Sequence, residues 1–137
     1  MKGFVLDTSV AIAVYLPEVF SPSARSYWER IAATGARCVV PSLHLWEFGN
    51  VLRTRVRSGA LSEASALEIY GLHLDAPLEI VEPDPQEILA VAFEFGVTTY
   101  DAVYIRLALS SDLTLLTAES IRKPWVAKLG DRAVAIS

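Results

Sequence analysis

Gly3-Phe4-Val5-Leu6-Asp7-Thr8-Ser9 is the stretch on which the architecture turns. A short apolar run stops abruptly at an acid and two hydroxyls, as a buried strand does where its carboxyl end reaches the surface. Residues 8–16 then read as a helix, closed by Pro17. A strand without alternation followed at once by a helix belongs to a parallel layer covered on both faces, because parallel neighbours need a crossover. The rest of the chain repeats this rhythm. Residues 22–33 read as a helix ending near Gly35, and 37–40 as a strand closed by Pro41. Ser42 is the expected N-cap of a long helix to about Arg57, with Gly59 just beyond. Leu61-Ser62-Glu63 opens another helix that fades between His73 and Pro77. Strands at 78–81, 113–116 and 133–136 alternate with helices at 85–95 and 99–110. The expectation is one domain over residues 1–137: an α/β three-layer sandwich with a central, mostly parallel twisted sheet of about 4–5 strands flanked by helices.

Composition narrows the class. Of 137 residues, 53% are hydrophobic and 20% charged, and the mean hydropathy is +0.37. Such a chain fills a core, and its apolar excess suggests surface covered by a partner. No apolar run approaches the ~18 residues of a membrane helix, so no membrane association is expected. Lys2 before a run that stops at Asp7 is no signal peptide, and a cytoplasmic protein is expected. Cys38, the sole cysteine, lies in Cys38-Val39-Val40 and reads as a buried small hydrophobe. With two distant histidines and one cysteine there is no zinc-like spacing. His44 and His73 have no partner at metal or triad spacing and read as structural or surface residues. A net charge of −4 argues against broad basic coating of nucleic acid, but not against a local grip on a few phosphates.

Four acids stand where a parallel sheet collects ligands, at the carboxyl ends of its strands. Asp7 ends the first strand. Glu119 follows the strand at 113–116 by two residues, Thr117 and Ala118. Asp101 opens the helix before that strand, and Glu47 lies early in the long helix after Pro41. Singly, each has an ordinary explanation. Asp7-Thr8-Ser9 can cap a helix, Asp101 behind Thr98 and Glu119 behind Thr117 can complement a helix dipole, and Glu47 can be solvated. Together they would repel by roughly 1 kcal/mol per close pair in water and ~4 at an effective dielectric near 20. Such a pocket needs protons or cations, and an all-oxygen donor set without His or Cys suits Mg²⁺ or Mn²⁺. Carboxylates with such a metal suit phosphodiester hydrolysis.

Val5-Leu6-Asp7-Thr8-Ser9, Trp46-Glu47-Phe48-Gly49-Asn50-Val51-Leu52, Thr99-Tyr100-Asp101-Ala102-Val103-Tyr104 and Leu116-Thr117-Ala118-Glu119 resemble, in order, the motifs of PIN-domain VapC toxins of VapBC toxin–antitoxin systems. The resemblance spans nearly the whole chain. It implies that Asp7, Glu47, Asp101 and Glu119 are the catalytic, metal-binding acids, with Thr8, Asn50, Thr99 and Thr117 as supporting polar residues. It also implies an endoribonuclease, a homodimer, and a small antitoxin that occludes the acidic pocket. One departure stands out: the last acid is usually Asp and here is Glu119, one methylene longer.

Basic residues gather at Arg53, Arg55 and Arg57 and again at Arg122, Lys123 and Lys128. On a helix, Asn50 and Arg57 project about 60° and 80° from Glu47 on one side, with Arg53 a little further round. Arg53, Arg57, Arg122 and Lys123 are therefore the candidate RNA contacts. A dehalogenase-like phosphatase would need a second Asp where Ser9 stands, and a response-regulator receiver needs an acidic pair and a late Lys that are not evident. A PIN-like binding or assembly module without catalysis is the remaining alternative. The four acids argue against it and the Glu119 departure weakly for it.

Overall fold

A computed structural model describes residues 3–136 of the chain. Its centre is a five-stranded sheet in the order β3-β2-β1-β4-β5, with every pairing parallel. The strands are β1 (Gly3–Leu6), β2 (Arg37–Val40), β3 (Glu79–Ile80), β4 (Thr114–Thr117) and β5 (Ala133–Ala135). Helices α1 (Thr8–Tyr15) and α2 (Ser21–Thr34) follow β1, and α3 (Ser42–Arg57) and α4 (Glu63–Leu74) follow β2. Helices α5 (Pro85–Phe95) and α6 (Thr99–Ser111) lead to β4, and α7 (Pro124–Leu129) leads to β5.

Strand alternation explains the three layers. Phe4, Leu6, Cys38, Val40 and Leu116 point into a core shared with α1, α2 and α3. Their neighbours Val5, Val39 and Leu115 point the other way, into a core shared with α5 and α6. Val5, Val39, Val40 and Leu116 are wholly buried, each such side chain stabilising the fold by roughly 1.5–3 kcal/mol. That two-sided burial is why the strands read as unbroken apolar runs. At Gly3, a Cβ would stand 2.5 Å from the Arg37 carbonyl oxygen, so glycine lets β1 approach β2.

The chain runs from β1 outward to β3, then returns to lay β4 on the other side of β1. This reversal makes a crevice at the carboxyl ends of β1 and β4. Leu6 faces Leu116 across the ladder and the Asp7 N–H donates to the Leu116 carbonyl at 3.1 Å, so Asp7 and Thr117 emerge side by side.

Several boundaries differ from the sequence reading. Pro41, not Ser42, occupies the cap position of α3, and the Ser42 N–H is taken by Glu82 Oε1 at 2.6 Å. The strand expected at 78–81 shrinks to two exposed residues at the sheet edge, although the Val81 N–H still reaches the Val40 carbonyl at 3.0 Å. Helix α7 is too short for its periodicity to have stood out. Cys38 is buried, as its setting suggested, and burial pushes its thiol up to about 12. Among the described residues no single helix is long and apolar enough to cross a membrane; only α5 and α6 taken together, across a 102° bend, pass on length and composition.

Candidate active site

Asp7 stands at the end of the central strand and is held by hydroxyls. Its Oδ2 accepts from Thr117 Oγ1 and from Ser9 Oγ, both at 3.0 Å. Those two oxygens also bind the loop after β4. Thr117 Oγ1 accepts the Glu119 N–H at 3.1 Å, and Ser9 Oγ accepts the Ala118 N–H at 3.3 Å. Burial pushes the Asp7 carboxyl up to about 6. The Thr117 and Ser9 hydroxyls oppose that shift, while the negative charges of Asp101 and Glu47 add to it.

Glu47 sits half-buried on the second turn of α3. Its Oε1 accepts from Thr8 Oγ1 at 3.0 Å and from Tyr104 OH at 2.5 Å. Burial, and then the bond to Glu47, drive the Tyr104 phenol far above its ordinary range. Behind this pair lie His44 and His73, both without solvent exposure, whose Nε2 atoms are 2.8 Å apart. Burial pushes His44 down to about 3 and His73 to about 4. The two histidines, read from the sequence as structural or surface residues, are buried and are each other's partners.

Asp101 lies in the first turn of α6 and is exposed. Gly96, at φ 65°, ends α5 in a conformation that suits glycine, and the chain turns directly into the Thr98 cap of α6. The Thr98 hydroxyl accepts the Asp101 N–H at 3.2 Å. Partial burial raises the Asp101 carboxyl, and Glu119 raises it further, against the Thr98 hydroxyl and Lys123. Glu119 is exposed in the loop after β4, with Lys123 Nζ 3.8 Å from its Oε2. It is not on a helix, so a dipole role behind a Thr117 cap does not apply; Thr117 is a strand residue.

Charge coupling thus joins Asp7 to Glu47 and Asp101, and Asp101 to Glu119. Among the described residues no three Asp, Glu, His or Cys side chains already form a metal cage. The oxygens are of the right kind, and two of the acids are fixed while two are free to adjust.

The other expected residues divide. Thr8 and Thr117 are in the site. Asn50 is exposed on α3, and its carbonyl accepts the Thr54 hydroxyl at 3.0 Å. Thr99 is also exposed and lines a separate cavity of about 470 Å³ with Tyr100 and Val103; the hydroxyl that serves Asp101 belongs to Thr98. Arg53 lines a cavity of about 280 Å³ between α3 and α4, and Arg57 is exposed at the end of α3. Arg55, which the sequence reading ranked below them, borders the cavity containing Thr8, Ser9 and Glu47 and pairs with Glu18 at 2.6 Å. Arg122 and Lys123 are exposed beside Glu119. Thr98 was read only as a cap, and the parts played by Ser9, Tyr104 and the histidine pair were missed. Tyr104 carried a signal, three residues after Asp101 on one helix face, and His44 carried the same signal three residues before Glu47.

Residues 4–121 match the PIN domain family. The chain belongs to that family. The PIN sandwich expected from the motifs is the fold observed, and a crystal structure of PAE2754 from Pyrobaculum aerophilum is similar. That likeness has a TM-score of 0.75 at 26% identity, over 97% of this chain and 83% of the other. Exonuclease VapC9 of Pyrobaculum aerophilum is 36% identical over 77 residues, 56% of this chain and 58% of the relative. Ribonuclease VapC3 of the same organism is 29% identical over 123 residues, 84% of this chain and 88% of the relative. All four acids of this PIN domain fall inside the family match.

Proposed function

We propose that this PIN-domain protein is a metal-dependent endoribonuclease and the toxin half of a type II VapBC pair. The observation that carries the reading is Asp7: a carboxylate pressed into protein at the sheet's switch point, bound by two hydroxyl donors, with the charges of Glu47 and Asp101 bearing on it. A protein that places like charges so close gains when a cation enters. The relatives, named as an exonuclease and a ribonuclease, support phosphodiester cleavage. An acid cluster that opens to solvent at Asp101 and Glu119 suits attack inside a strand as well as at its end.

Asp7 and Glu47 would hold Mg²⁺ or Mn²⁺ as the fixed acids, with Asp101 and Glu119 completing the set. When bound, the ion supplies positive charge that lowers the pKa of water and steadies charge on the phosphoryl group. The chain's own residues do the positioning. Thr117 and Ser9 orient Asp7, Thr8 and Tyr104 orient Glu47, and Lys123 with Arg122 offers cations at the exposed edge where an RNA phosphate would pass. Water oxygen attacks phosphorus, the ester P–O bond breaks, and a phosphate monoester and a hydroxyl result.

Exposed Trp46, Leu67, Phe93 and Tyr100 are apolar surface suited to the homodimer and antitoxin contacts of such a toxin. RNA as substrate goes with action in the cytoplasm. The competing reading, a PIN-like binding module, has two observations in its favour: the Glu119–Lys123 pair and the lack of a closed cage among the described residues. A labelled single-stranded RNA separates the two. Internal cleavage by the purified protein in Mn²⁺ that stops in excess EDTA is the result expected, and binding without cleavage in Mn²⁺ or Mg²⁺ would favour the module.

A further inference from the structure

Behind Glu47 a line of polar atoms runs through the apolar core between α1, α3, α4 and α6. Tyr15 OH lies 3.0 Å from His73 Nδ1, and His73 Nε2 lies 2.8 Å from His44 Nε2. His44 Nδ1 lies 3.3 Å from Thr8 Oγ1 and 3.4 Å from Tyr104 OH. Those two hydroxyls are 2.9 Å apart and both end on Glu47 Oε1. The metal-binding motifs do not call for the histidines, and burying two imidazoles side by side is costly unless every ring nitrogen has a partner.

With Glu47 taking the protons of both hydroxyls, the 2.9 Å Thr8–Tyr104 contact carries none, and proton counting leaves one arrangement for the two rings. A neutral imidazole has one N–H and one bare nitrogen, so an Nε2–Nε2 contact admits a single proton and locks each ring's tautomer to the other's. Ionised Glu47 takes the protons of both Thr8 and Tyr104. His44 Nδ1 then faces two oxygens whose protons are committed, and a backbone bond to Leu6 also favours a protonated ring nitrogen on His44, so Nδ1 donates. His44 Nε2 therefore accepts from His73 Nε2–H, and His73 Nδ1 accepts from Tyr15. All five donors run toward Glu47. The reverse polarity would require Thr8 or Tyr104 to turn its proton away from the carboxylate.

We infer that His44 and His73 are positioning residues: a directional hydrogen-bond relay from Tyr15 that fixes Thr8 and Tyr104 as donors to Glu47 Oε1 and so orients the carboxylate that would hold the metal. The inference rests on Glu47 being a metal-binding acid. Packing holds the relay in place, since the His73 ring stacks on Phe48 at 4.2 Å and meets Tyr15 edge-on at 5.3 Å.

The chain has only two histidines, so both rings can be read in the intact protein. Long-range proton–nitrogen NMR on the ¹⁵N-labelled, metal-free protein at pH 7 is expected to find His44 protonated on Nδ1 and His73 on Nε2. The reverse pair of tautomers, or a doubly protonated ring, overturns the relay. Calorimetric titration with Mn²⁺ supplies the second arm. His73→Leu, which preserves apolar packing, is expected to weaken Mn²⁺ binding ~10-fold, as loss of an outer hydrogen-bond partner does. His73→Gln, whose amide can present an N–H where Nε2 stood, is expected to remain within about threefold of wild type on the same basis. A merely structural histidine would give the opposite order, with Leu the milder change. Wild-type protein that binds no Mn²⁺ brings down the Glu47 reading and the relay together. Binding that Asp7→Asn abolishes but His73→Leu leaves unchanged overturns the relay alone.

Discussion

Two halves of the acidic site are built by different means. Asp7 and Glu47 are gripped from behind by four hydroxyls, those of Ser9, Thr117, Thr8 and Tyr104. Asp101 and Glu119 are exposed and lean on the rim, one on the Thr98 cap and the other on Lys123. Charged groups held by preset donors cannot move to relieve repulsion, whereas exposed ones can turn to water. On the proposed reading the buried half would decide where a cation sits, and the exposed half would tune how it is held and how substrate reaches it. A pair of adjustable acids also tolerates the longer side chain of Glu119.

The largest effect that tests this division is Asp7→Asn. It is expected to weaken Mn²⁺ binding by more than ~100-fold, beyond the ~10–100-fold typical of an outer partner. The metal-free variant is expected to melt no lower than wild type, because like-charge repulsion is relieved. Thermal melts with and without Mn²⁺ check both, since a ligand bound only to the folded state raises Tm. A Mn²⁺-induced shift as large as wild type's would break the comparison. Next comes Thr117→Val, which removes one donor to Asp7 at nearly constant volume. Mn²⁺ affinity is expected to fall ~10–100-fold, and the Asp7 titration followed by carboxyl NMR to move above 6.

Acid should separate the halves of the molecule further. His44 and His73, lowered to about 3 and about 4, stay neutral in the fold while the unfolded chain protonates them below 6.5. Stability from this source is present above 6.5 and falls as pH drops toward 4. Asp7, raised to about 6 from 3.8, works the other way by binding a proton in the fold first, and Asp101 shifts in the same direction. Two protons against one leaves a net loss of up to ~1.4 kcal/mol per pH unit on acidifying the metal-free protein from pH 6 to 4. Urea melts of Asp7→Asn are expected to show a slope steeper by about one proton, and an unchanged slope would remove Asp7 from the account. The smallest effect belongs to the rim. Glu119→Gln is expected to cost less than ~10-fold in Mn²⁺ affinity, and Glu119→Asp less again, measured by the same titration. A loss equal to that of Asp7→Asn would show that the exposed acid is as firmly placed as the buried one.

The sheet was legible because burial on both faces leaves unbroken apolar runs, and Asp7 was legible because a polar residue ends such a run. The four acids followed from strand ends and motif order. What stayed hidden depended on packing. The Thr98 cap in front of Asp101 was readable as ordinary helix capping, but whether Thr98 or the adjacent Thr99 supports the acid depends on where the helix starts. Arg55 and Arg57 both project about 80° from Glu47, on opposite sides, so the packed helix alone determines which borders the cavity beside Thr8. His44 shares a helix face with Glu47, but His73 comes from the next helix, and no spacing rule announces that their ring nitrogens will meet.

The most direct test is cleavage of a labelled single-stranded RNA by wild type and Asp7→Asn, each in Mn²⁺ and in excess EDTA. Cleavage by wild type in Mn²⁺ alone, with the variant inactive in both conditions, is the result expected. Equal cleavage by Asp7→Asn and wild type, or undiminished cleavage in EDTA, would contradict a metal-dependent site centred on Asp7.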